Sequence, residues 1–220
     1  MRLAGVRIGA DDLAGAIAAY TILLAVPGSP LAGGGMRFAL QRGGVDVAAG
    51  PPGLRAVRFV CPAGEPIVRD AHGVAVEADP DPGAVGEAET VAIDHVVVHT
   101  TAPERAISLW RDRLGLRLAL DREFPARRLR LLFFRSGGIT LEYASPLPAD
   151  GEPASSEPAG DDRLYGVSYR VTDLAARRER LLAAGVDVSA LRPGMRPGTT
   201  VATVRSGTAG VPTLLLQADA

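Results

Sequence analysis

Apolar and polar positions along the chain switch between a period of two and a period near 3.6, and the switches recur. From Ile93 to Thr100 the residues are mostly β-branched and read as a strand. Thr101 then reads as a helix cap, with Pro103 in the first turn and Glu104 three residues after the cap, as in a capping box. Ile107, Trp110 and Leu114 follow at helical spacing, and Gly115 marks the stop. Leu116 to Leu120, Leu129 to Arg135 and Gly138 to Tyr143 return to strand character, so residues 91–145 read as one βαβββ unit.

That order repeats. Leu164 to Val171 predicts a strand, Thr172 a cap, Leu174 to Ala184 a helix closed by Gly185, and further strands fall near residues 186–188, Thr199 to Arg205 and Val211 to Gln217. At the N-terminus Ala16, Ile17 and Tyr20 line up with Ala106, Ile107 and Trp110, and residues 3–49 give the same sequence of elements with a Gly-Pro-rich stretch after the helix. A fourth copy looks eroded. Leu54 to Cys61 matches the opening strand and Ala71 to Ala78 matches Ala183 to Ala190, with the helix between them shortened by Pro62, Gly64 and Pro66 and two closing strands missing. A strand-helix unit that repeats predicts an α+β fold of tandem βαβββ modules, the N-terminal ones degenerate.

Acidic and Pro-Gly-rich residues at 79–89, and again from Pro146 to Asp162, disfavour both helix and strand. The expected division is a degenerate module pair at 1–79, a linker at 80–90, and a second pair at 91–220. The latter consists of modules 91–145 and 164–217 joined by a mobile connection at 146–162.

Composition narrows the function. With 220 residues, 47% of them hydrophobic, and a formal net charge of -1, the chain can bury a sizeable core as a soluble globular protein. No basic patch is interleaved with aromatics, so no nucleic-acid partner is expected. No apolar run is long enough for a bilayer, so no membrane partner is expected and a cytoplasmic location is. The single Cys61 cannot form an internal disulfide and reads as a small core residue. Every basic side chain other than His is Arg. Without Lys, neither Schiff-base lysine chemistry nor a Walker-type phosphate loop is available. The lack of Lys and Asn, with abundant Ala, Gly and Pro, suggests a GC-rich bacterial genome.

Three stretches together resemble the vicinal oxygen chelate superfamily: Ile93-Asp94-His95-Val96-Val97-Val98-His99, the helix end Leu109-Trp110-Arg111-Asp112-Arg113-Leu114-Gly115-Leu116, and the closing Gly137-Gly138-Ile139-Thr140-Leu141-Glu142-Tyr143. That group includes glyoxalase I, methylmalonyl-CoA epimerase, extradiol dioxygenases and bleomycin-resistance proteins. The resemblance covers 91–145 best, then 164–217, then 1–79. It implies paired modules whose mixed sheets curl around a shared cavity. It also implies a divalent metal that chelates two neighbouring substrate oxygens, with ligands from the first and last strands of both paired modules. His95 matches the first-strand ligand and Glu142 the last-strand ligand, a donor pair suited to Zn, Mn, Fe or Ni. Gly166 and Leu214 stand where the second His and Glu belong, and Gly5 and Ala48 stand there in the N-terminal module.

Strand alternation places His95, Val97 and His99 on one face, with His99 roughly 13 Å along from His95, too far to share a metal and suited to a substrate contact. Ser168 and Arg170 share the face of Gly166, where an Arg can bind a ligand carboxylate or phosphate. Structural readings stand beside these: a satisfied strand histidine at His95, an Arg-paired or solvated Glu142, a salt-bridging Arg170, and core roles for Trp110 and Tyr20. His72 receives no role.

Each reading makes the chain a binder of a small organic molecule, and three remain open. One is a metalloenzyme of the glyoxalase, epimerase or dioxygenase kind, with Glu142 as ligand and base; in a homodimer, two copies of His95 and Glu142 meeting across the axis would restore the ligand count. The second is a metal-free sequestering protein. The third is a metal-free catalyst with His95 as the acid-base group and Arg170 as an anion clamp.

Overall fold

A computed structural model describes residues 1–61, 70–79, 91–148 and 160–219. The shortened helix expected after Cys61, the linker 80–90 and most of the connection 146–162 lie outside the described residues.

The alternating segments assemble into two mixed sheets. The first contains β1 (Arg2–Ala10), β2 (Gly28–Pro30), β3 (Met36–Ala39), β4 (Gly44–Ala49), β5 (Gly53–Val60), β6 (Asp70–Ala71) and β7 (Val74–Ala78), in the order β2-β3-β4-β1-β5-β7-β6. The second contains β8 (Val91–His99), β9 (Arg117–Phe124), β10 (Leu129–Ser136), β11 (Ile139–Pro146), β12 (Arg163–Val171), β13 (Arg192–Pro193), β14 (Thr199–Val204) and β15 (Thr213–Ala218), in the order β13-β14-β15-β12-β8-β11-β10-β9. Both sheets share one plan. The opening strands of two modules pair antiparallel at the centre, β1 with β5 and β8 with β12, and each is flanked by its own module's closing strand in parallel.

This plan corrects one expectation. Ala71 to Ala78 does not match the strand after the helix. It contains β7, which runs parallel to β5 and so occupies the closing-strand position, with β6 antiparallel beside it. Every strand of a module alternates in the same way, so a short Gly-Val-x-Val pattern gives strand character without giving strand rank.

Helix α1 (Leu13–Leu24) follows β1, α2 (Pro103–Ile107) follows β8 and α3 (Leu174–Ala183) follows β12. The caps fall one residue later than expected. Ala102 is the N-cap of α2 and has no side-chain cap bond, while Thr100 Oγ1 accepts the Ala102 N–H at 2.9 Å. On α3 the cap is Asp173, whose carboxylate accepts the Ala176 N–H at 2.9 Å, in place of Thr172. After α2 the chain widens into a π-helical stretch, Ser108–Arg113, in which Leu114 N–H reaches back to Leu109 C=O at 3.0 Å. Residues 186–188 contribute only an isolated bridge from Val188 to Val204.

One face of each sheet is uniformly buried: Val6, Ile8, Val57 and Phe59 on the first, Val96, Val98, Val167 and Tyr169 on the second. These faces join in a single apolar core. Phe59 stacks on Trp110 with centroids 5.7 Å apart, and Tyr20 on α1 donates its hydroxyl to Thr208 C=O at 3.0 Å. The loop after β3 pairs with the start of β8, through Gln41 N–H to Val91 C=O and Ile93 N–H to Arg42 C=O, both 3.0 Å. Gly43, at φ +77°, permits this approach, since a Cβ there would lie 2.8 Å from Ile139 Cδ1. No helix among the described residues is long and apolar enough to cross a membrane.

Trp110 and Tyr143 are both fully buried, and the indole N–H donates to the Tyr143 hydroxyl at 2.7 Å. Tyr143→Phe strands that donor, and urea denaturation should show a loss of about 1–3 kcal/mol; an unchanged midpoint and slope would show that the bond contributes nothing net.

Candidate functional site

The face of the second sheet opposite the core is half-exposed, and its geometry follows from a local two-fold. Val96 pairs with Val167; on either side of them His95 pairs with Ser168 and Val97 with Gly166. The symmetry therefore relates His95 to Gly166 and Val97 to Ser168. On the flanks Glu142 pairs with Val97 and Leu214 with Ser168, which makes Glu142 and Leu214 equivalent as well. One module thus presents His and Glu at the two positions where its partner presents Gly and Leu. At Gly166 a Cβ would lie 2.5 Å from Pro212 C=O, so no larger side chain fits without moving that backbone.

His95 Nε2 lies 3.9 Å from Glu142 Oε2, beyond a hydrogen bond, and both side chains are 18% exposed. The residue that organises them is Asp94, to which the sequence reading gave no role. The register slips between the Ser168–His95 and Tyr169–Ile93 pairs, so Asp94 is the extra residue of a β-bulge and sits beside His95 on the same face. Its carboxylate lies 2.9 Å from His95 Nδ1 and is also held by Arg170 through Nε, at 3.0 Å, and Nη2. Two adjacent polar residues inside an apolar strand were the available sign of this bulge.

The protonation pattern follows from the contacts. Burial works against ionised Asp94, but hydrogen bonds from His95 and Arg170 outweigh it and hold the carboxyl well below its usual range. An ionised carboxylate only accepts, so Nδ1 carries the proton of a neutral imidazole and Nε2 presents its lone pair toward Glu142. Burial opposes the charged imidazolium too, yet the Asp94 hydrogen bond and the Glu142 charge raise the His95 pKa above its ordinary value. Burial raises Glu142, with His95 drawing it back and Asp94 adding to the rise.

Arg170 joins the cluster with its guanidinium committed to Asp94. Ser168, directly across from His95, is fully buried, and its Oγ has no hydrogen-bond partner among the described residues. His99 stands apart, stacked on Tyr165 with centroids 4.1 Å apart. His72 adopts φ +56° in the turn between β6 and β7.

These residues do not make a tight metal site. His95 and Glu142 are two donors, whereas a catalytic zinc commonly has three from the protein; Asp94 faces the other ring nitrogen and is held by Arg170. Among the described residues no three His, Cys, Asp or Glu side chains gather as a metal-binding group. A homodimer cannot supply the rest by pairing a second β8 beside the first, because β8 is flanked by β12 and β11 within its own chain.

The first sheet answers the same problem with arginine. Val6 pairs with Val57, flanked by Gly5–Arg58 and Arg7–Ala56, while Asp46 pairs with Arg7 and Glu77 with Arg58. The position equivalent to Glu142 is therefore Asp46, not Ala48 as the sequence alignment has it, and Glu77 is its symmetry mate. Each carboxylate is matched by a guanidinium from across the two-fold: Arg58 Nη1 lies 2.9 Å from Asp46 and Arg7 Nε 3.0 Å from Glu77. Arg58, 2% exposed, also contacts Asp79 at 2.5 Å, and Arg37 grips Asp46 through two nitrogens.

Two outcomes follow. By NMR, the His95 ring should titrate above about 6.5, and Asp94→Asn should lower that value; the stability His95 contributes is complete at low pH and fades as pH rises through the raised pKa. An unchanged titration in the variant would remove Asp94 from its role. Arg58→Met leaves Asp46 and Asp79 buried with one cation fewer and should cost about 3–5 kcal/mol in chemical denaturation; a loss under 1 kcal/mol would mean that water already screens the cluster.

No curated protein matches the chain by sequence. Among solved structures, methylmalonyl-CoA epimerase from Mycobacterium tuberculosis is 20% identical, covering 58% of this chain and 88% of its own, with a TM-score of 0.46. The hypothetical protein BH1468 from Bacillus halodurans C-125 is 19% identical over 60% of this chain and 97% of its own, with a TM-score of 0.48. A Streptomyces coelicolor methylmalonyl-CoA epimerase variant in complex with 2-nitronate-propionyl-CoA is 18% identical over 58% and 97%, with a TM-score of 0.44. The family model described as Glyoxalase/Bleomycin resistance protein/Dioxygenase superfamily matches residues 94–203, from the bulged Asp94 to the strand before β15, which is half of the 220-residue chain. The chain belongs to the glyoxalase/bleomycin resistance protein/dioxygenase superfamily.

Proposed function

We propose that the chain binds a small organic molecule on the open face of the second sheet and does so without a tightly held divalent ion. The observation that carries this reading is the nearness of His95 Nε2 and the Glu142 carboxyl, 3.9 Å apart, with Ser168 paired opposite His95, on a face otherwise lined by half-buried apolar side chains such as Val97, Phe133 and Leu214. A few polar groups on an apolar wall fit a ligand site that orients one hydrogen-bonding function and buries the rest by contact. Asp94 and Arg170 act as positioning residues for His95. The same reading divides the chain: residues 1–79 form a scaffold pair neutralised by its own arginines, and residues 91–220 carry the ligand site.

A metal-dependent reading is favoured by one observation, the placement of His95 on the opening strand and Glu142 on the closing strand of one module. Metal analysis of protein purified without a chelating tag separates the two. Well below one transition metal per chain is expected, with His95→Ala no different; one metal per chain, lost in His95→Ala, would overturn the metal-free reading. Leu214→Glu supplies a third donor by symmetry and should raise cobalt occupancy toward one per chain, visible as d–d absorption. Thermal-shift screening tests the binding itself. Stabilising small molecules should lose their effect in Glu142→Gln, and a broad screen without any hit would sink the proposal.

A further inference from the structure

The open face continues beyond the His95–Glu142 end, and the far end has a different chemistry. Along β8 the same face passes Val97 and reaches His99, roughly 13 Å from His95 at about 3.3 Å per residue. Directly opposite His99 is Arg163 on β12. A second irregularity, between the Leu164–Val98 and Gly166–Val97 pairs, makes Tyr165 the extra residue there. Its ring lies over the His99 imidazole, 4.1 Å between centroids and 19° between planes, and the residue remains 47% exposed.

The arrangement presents an aromatic surface to solvent at one end of an apolar strip. Among the described residues Tyr165 is one of few large apolar side chains left exposed, and its neighbours Val167 and Tyr169 on the same strand are buried. Burial, and then the nearby Arg163 charge, lower the His99 pKa, so the ring is neutral near pH 7 and behaves as a flat π surface. Arg163 is exposed and makes no ion pair among the described residues. A flat π surface with an exposed guanidinium at its margin suits a ring that stacks and carries negative charge at its edge.

We propose that His99, Tyr165 and Arg163 form a second subsite of the ligand face and take a planar aromatic ring bearing an anionic substituent. This rests on the proposed ligand site at His95 and Glu142. A ligand engaging both ends is elongated, with its ring roughly 13 Å from the group that meets His95, and passes over Val97 between them.

The chain has three histidines, so ¹³C-labelled imidazole signals report the two ends separately. The probes are 2-naphthoate and cyclohexanecarboxylate, equal in charge and differing in the flat ring. Naphthoate should move the His99 signals upfield through its ring current, Tyr165→Ala should weaken its binding about three- to tenfold, Arg163→Gln should weaken it as well, and cyclohexanecarboxylate should leave His99 in place. Tyr165 is exposed, so its truncation should leave the thermal midpoint unchanged. Movement of His95 alone, or a naphthoate affinity indifferent to Tyr165→Ala, overturns the aromatic subsite and leaves the His95–Glu142 site standing. His99 unmoved at millimolar naphthoate also overturns it, and His95 unmoved across the whole ligand screen removes the underlying site.

Discussion

Antiparallel pairing of two opening strands about Val96 and Val167 is the constraint on which the second half of this molecule depends. It aligns the modules, sets which residues face one another across the axis, and puts the alternate face of both strands into the core. Because side chains alternate along a strand, a slip of one residue would bury His95 and expose Val96. The apolar set Val96, Val98, Val167 and Tyr169 therefore fixes the position of the polar set, and the site's geometry is a by-product of core packing.

Two local departures from that pairing create the site's character. The bulge at Asp94 delivers a carboxylate to the back of the His95 ring, and the bulge at Tyr165 delivers an aromatic to the His99 ring. Without the first, His95 would have no partner to fix its tautomer. Without the second, the far end of the face would be a plain end of two paired central strands. Both arise where one strand carries a residue more than its neighbour, so neither alters the register in the middle.

The module order, the strand-helix repeat and the His95–Glu142 pairing were legible in the sequence because each rests on local alternation plus a stop or start signal. Rank within a module was not legible. Ala71 to Ala78 has the alternation of any module strand, and only its parallel partner β5 shows it as the closing one. Asp46 escaped for a related reason: the loose loop before β4 shifts the count by two residues, and Ala48 lies on the same face as Asp46. Asp94 was visible as a residue but not as a participant, since bulges depend on the partner strand's length, which a single strand does not record. Cap positions moved by one residue, to Ala102 and Asp173 in place of the expected threonines, and the side-chain acceptors there are Thr100 and Asp173.

The close contact between Gly166 and Pro212 makes the two modules unequal in which side chains they can admit. A histidine at position 166 would force the backbone to shift, because its Cβ would lie 2.5 Å from the Pro212 carbonyl oxygen. The turn before β15 would have to move to admit it. A carboxylate at Leu214 faces no such obstacle from the pairing. The two symmetry-related positions are therefore unequal: at 214 the residue is a side-chain choice, whereas at 166 it is set by the neighbouring backbone.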